Sequence, residues 1–197
     1  MTDSNLTTEE KAFNSGDGGD QPLHEISGMT EGYLADGTTR VTVAEADKNN
    51  KQTRDGTGEI AISYTDSSNK AHYEVINFSE KDRAALQYVG FEDMDWRDDG
   101  TPGGTYYLVN EGGGKEFDKN GIRVHDYQAP TVYTAKLVTN QDGTHEMQLT
   151  GGPITAVVPE AQWNTPWTGS PNPQLKANGA EGMAVDQAGN IYMGMQS

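Results

Sequence analysis

The carboxylates with the clearest chemical potential sit at matching places in two similar phrases. Glu181 opens Ala180-Glu181-Gly182-Met183-Ala184-Val185, and Glu92 opens Phe91-Glu92-Asp93-Met94-Asp95-Trp96. Each phrase continues through a Gly-containing turn, Asp186 to Gly189 or Asp98 to Gly100, into a second apolar segment. Strand starts that converge on one mouth bring such carboxylates together. There they can bind Ca2+, a hard cation that takes six to eight oxygens. They can also raise one another's pKa for acid–base work. The plain alternative is that each Glu accepts backbone N–H bonds in a turn or faces water. A weaker third copy runs from Glu31 through Gly37 into Val41-Thr42-Val43-Ala44, so the copies are read as starting at Glu31, Glu92 and Glu181.

Other groups extend the inventory. Asn110-Glu111-Gly112-Gly113-Gly114 follows an apolar segment, and its amides and carboxylate could meet a ligand. It matches no Walker or dinucleotide pattern, and a flexible hairpin loop is the competing reading. Asp93, Asp95, Asp98 and Asp99 make a dense acidic patch beside Glu92 that fails the EF-hand spacing. It is read either as a calcium site or as a solvated turn. Arg123 could hold a phosphate or carboxylate, or pair across strands. His24, His72, His125 and His145 lie far apart and form no zinc-binding motif. No G-x-S-x-G is present, so ester hydrolysis would need metal-activated water rather than a serine elbow. Trp163 and Trp167 could stack on a sugar or pack between sheets.

The elements that must position these groups read as β-strands. Alternation marks 40–44, 59–64 and 72–76, with Asp66-Ser67-Ser68-Asn69 as a hairpin turn. Further strands are expected over 121–127, 131–138 and 146–150, and a hairpin over 91–111. Ser79 with Asp82 predicts the cap of one short helix over 79–88. Residues 1–24 read as a flexible acidic arm, 25–197 as one β domain, and 159–179 as a long irregular connection. Hairpins recurring along a chain point to β-propeller blades, an all-β architecture. A closed ring of five or six blades needs about 250–350 residues. The expectation is therefore a partial or split propeller: a fragment, or a chain completed by self-association or a partner.

Composition narrows the partners. Thirty Asp and Glu against 14 Lys and Arg give a net charge of -16, which repels nucleic acid and anionic membranes. There is no cysteine, hence no disulfide and no thiolate chemistry. No apolar run approaches the roughly 18 residues of a membrane-spanning helix.

The stretch Asn178-Gly179-Ala180-Glu181-Gly182-Met183-Ala184-Val185-Asp186-Gln187-Ala188-Gly189-Asn190-Ile191-Tyr192-Met193-Gly194-Met195-Gln196-Ser197 resembles the phytase-like, or esterase-like phytase, β-propeller family. Gly104-Thr105-Tyr106-Tyr107-Leu108-Val109-Asn110-Glu111-Gly112-Gly113, followed by Gly121-Ile122-Arg123-Val124, is similar to that family's strand, acidic Gly loop and next strand. The resemblance covers residues 88–197, and the chain is shorter than the full family domain. It implies a propeller fold, export to an extracellular or periplasmic place, and hydrolysis of esters or phosphomonoesters, often with calcium. On that expectation Glu111 and Glu181 are catalytic, Glu92, Asp93 and Glu181 hold Ca2+, and Asn110 and Arg123 meet a small ester or phosphoester substrate. The competing expectations are a non-catalytic structural or interaction module and a gluconolactonase-like lactone hydrolase.

Overall fold

A computed structural model describes residues 26–46, 59–83, 86, 91–110, 116–117, 123–125, 130–155 and 180–195. The expected arm over 1–24, the connection over 159–179, Trp163, Trp167 and Glu111 lie outside the described residues.

The described chain is antiparallel β. Strands β1 (Ile26–Tyr33), β2 (Arg40–Ala46), β3 (Glu59–Thr65) and β4 (Ala71–Ile76) form a meander in the order β1-β2-β3-β4. The second four-stranded sheet contains β5 (Phe91–Arg97), β6 (Thr105–Asn110), β9 (Thr131–Thr139) and β10 (His145–Thr155), paired as β10-β9-β6-β5. Between β6 and β9 runs a small hairpin of β7 (Glu116–Phe117) and β8 (Arg123–His125). A final hairpin joins β11 (Ala180–Val185) to β12 (Ile191–Met195). No described sheet closes on itself.

The layers follow from where side chains alternate. Val41, Val43, Ile60, Ile62 and Ile76 of the first sheet meet Met94, Tyr106, Leu108, Ala135 and Leu137 of the second in one buried cluster. The opposite face of the second sheet, with Tyr107, Val109 and Val132, packs on Ala180, Met183, Val185, Ile191 and Met193 of the last hairpin. A sheet covered on both faces loses the polar half of its alternation, which is why all six residues of β6 are buried. The layers come closest along β1, β5 and β11, with β5 between the other two, whereas the backbones of β4 and β10 stand further apart. Gly28 and Gly32 permit this approach. A Cβ at Gly28 would lie 2.7 Å from the Asp93 Cα, and one at Gly32 2.8 Å from the Trp96 ring.

Three hairpin turns share one design. Asn69, Gly143 and Gly189 each take a left-handed φ (64°, 87° and 87°) at the close of a turn begun by Asp66, Asn140 or Asp186. Of the helix expected over 79–88, residues 84–85 and 87–88 lie outside the described residues. The described part spans Glu80–Arg83, here α1, and Ser79 caps it through its carbonyl, which accepts from the Arg83 N–H at 3.1 Å. The Ser79 hydroxyl donates to the Asp82 carboxylate, which also accepts the Leu149 N–H at 3.0 Å. Phe78 bridges Met147 in parallel, so the chain leaving β4 covers part of the outer edge of β10. Covered edges do not recruit stray strands.

Candidate functional site

The starts of β1, β5 and β11 carry the same irregularity. Each strand slips register against its partner by one residue, between Ile26 and Gly28, Phe91 and Asp93, and Ala180 and Gly182. The extra residue is Ser27, Glu92 or Glu181. A bulge re-aims a side chain and sharpens local twist. Glu92 and Glu181 are thus equivalent positions, as their phrases suggested. The third copy is different: Ser27 fills the place, and Glu31 lies four residues further on, exposed and paired with Arg40. What repeats is the pair of residues after the bulge, Gly28-Met29, Asp93-Met94 and Gly182-Met183.

Asp93 and Asp95 face β11 and act on its backbone. Asp93 accepts the Met183 N–H at 2.7 Å and the N–H of its own neighbour Met94 at 2.8 Å. Asp95 repeats the arrangement with Val185 at 2.7 Å and Trp96 at 2.8 Å. Two carboxylates spaced two residues apart therefore grip two amides spaced two residues apart. Arg97 continues the row, donating Nε–H to the Gln187 carbonyl at 3.1 Å. Burial pushes the Asp93 carboxyl up and the Asp95 charge adds to this, while the N–H bonds from Met183 and Met94 pull it down; the net shift is upward.

The acidic patch thus divides. Asp98 accepts the Gly100 N–H at 2.9 Å inside the β5–β6 loop. Asp99 binds Thr101 N–H at 3.0 Å and the Thr105 hydroxyl at 2.7 Å. Burial works against ionisation of Asp99, but those bonds and the Lys136 charge outweigh it and bring its pKa to about 2. Trp96 closes the loop by donating its indole N–H to the Gly103 carbonyl at 2.9 Å.

The remaining expected residues scatter. Asn110 is buried at the end of β6, and its amide donates to the Thr131 hydroxyl at 3.1 Å, tying β6 to β9. Glu92 is half-buried at the bulge. Arg123 lies in β8 and Glu181 in β11, but their side chains are outside the described set, as is all of Glu111. Among the described residues, no three His, Asp or Glu side chains stand close enough together to hold a metal ion. None of the described helices is long and apolar enough to cross a membrane.

One polar cluster escaped the sequence. His145 is buried between the sheets, its Nδ1 2.6 Å from Glu74 Oε2, and its backbone N–H reaches Oε1 at 3.1 Å. Tyr64 stacks on His72 at 4.8 Å and meets His145 edge-on at 5.5 Å. His72 Nε2 lies 2.7 Å from Asp66. The available signal was the alternation of His72, Glu74 and Ile76 along β4, which puts all three on the face toward the second sheet.

No family model, no curated protein and no solved structure matches this chain.

Proposed function

We propose that the chain is a section of a β-propeller, two blades and the inner hairpin of a third, serving as a structural and interaction module rather than a self-sufficient catalyst. The fold part rests on four-stranded antiparallel meanders stacked face to face, with their first strands closest together. One observation carries the functional part: Asp93 and Asp95 use their oxygens to hold the backbone of the next layer. A carboxylate fixed by two N–H donors has less capacity left for a cation or a substrate proton. The test is hydrolysis of p-nitrophenyl phosphate and p-nitrophenyl acetate by folded protein, with calcium and then with EDTA. No turnover is expected; calcium-dependent turnover overturns the proposal.

A second reading is favoured by the shared bulge. Glu92 and Glu181 occupy equivalent bulge positions at the strand starts. That suits an exported calcium-dependent hydrolase of esters or phosphomonoesters, like the phytase-like propellers the C-terminal stretch resembles. The bound ion would polarise the ester or phosphoryl oxygen, and a carboxylate, Glu111 or Glu181, would serve as base. On this reading Glu92→Gln and Glu181→Gln each abolish calcium-dependent turnover while leaving the melting temperature near that of the parent.

A further inference from the structure

We draw no further inference here: the strongest candidate, the outward face of the hairpin β11–β12 with Ala184 and Tyr192 exposed beside Gly194, carries nothing because no feature of the structure shows what covers it.

Discussion

Replacing Asp93 by Asn tests how the third layer is held. The carboxylate accepts one N–H on each oxygen, from Met94 and from Met183. An amide of the same shape offers one acceptor, so one of the two N–H groups must face an NH2 group. A hydrogen bond to a charged group contributes about 1.5–3 kcal/mol, and an orphaned buried donor adds to the loss. Against this, the half-buried charge disappears, and its upward-shifted pKa marks that charge as unfavourable where it sits. The net cost at neutral pH is therefore about 1 kcal/mol, below the full value of the bond. The pH dependence fixes the sign. A carboxyl whose folded pKa is raised binds its proton more tightly in the folded protein. Its stabilising contribution is complete below the ordinary Asp value of 3.8 and is lost as pH rises through the raised value. The parent gains this contribution on acidification and the Asn variant does not, so the variant's deficit widens as pH falls toward 4. Urea denaturation across that range measures the deficit, and hydrogen exchange at the Met183 amide localises it, with roughly fivefold faster exchange expected for a local loss of about 1 kcal/mol. A deficit that narrows on acidification would mean that the N–H bonds outweigh burial, and the argument from desolvation would fail.

Gly28→Ala drives a Cβ to within 2.7 Å of the Asp93 backbone and should cost about 1–3 kcal/mol in urea denaturation. Gly194→Ala, whose nearest neighbour would lie 3.8 Å away, should cost far less; equal losses would show that the approach of β1 to β5 is not tight. Glu74→Gln leaves buried His145 with one neutral acceptor for its two donors, and a loss of about 1–2 kcal/mol in chemical denaturation is expected. An unchanged midpoint would assign the pair no part in joining the sheets. Asp36, Asp66, Asp99, Asp142 and Asp186 all have lowered pKa values, so their contribution is present above 3.8 and lost as pH falls below it. Melting temperature followed from pH 6 to pH 2 should drop most steeply at the acid end. A flat profile would contradict the hydrogen bonds drawn for these turns.

Strands were legible where one face meets solvent or where a turn signals the ends. Val41-Thr42-Val43 alternates because Val41 and Val43 face the second sheet and Thr42 does not. Asp66 to Asn69 and Asp142-Gly143 mark turns because Asn and Gly accept the left-handed backbone and Asp bonds to amides just beyond it. Of the helix expected over 79–88, the described part is Glu80–Arg83, and the Leu86 N–H extends it by a bond to the Asp82 carbonyl at 3.1 Å. Within it, Asp82 is tied to β10 through the Leu149 N–H. The pairing of β7 with β8 went unforeseen, since Glu116-Phe117 is too short to show a period.

The candidate site was less legible, and the reason lies in what a carboxylate at a strand start can do. Glu92 and Asp93 are adjacent, both acidic, and both belong to the repeated phrase. Residue type alone therefore grouped them as ligands for one ion. A strand sends neighbours to opposite faces, and the bulge adds one residue to its strand that shifts the register against the partner strand. Asp93 consequently faces β11 and bonds its backbone, while Glu92 occupies the bulge itself. The same logic separates Glu31 from the other two copies. An alignment anchored on Glu slides the first hairpin by four residues, whereas one anchored on the pairs Gly28-Met29, Asp93-Met94 and Gly182-Met183 brings all three bulges into register. The first residue of each pair shows the division of labour. Where the position is Gly28, the next strand's backbone moves in against it; where it is Asp93, the next strand's N–H is caught by the side chain. Contact between successive layers is thus made in two ways at one place, and the repeat conserves the position of the contact rather than its chemistry.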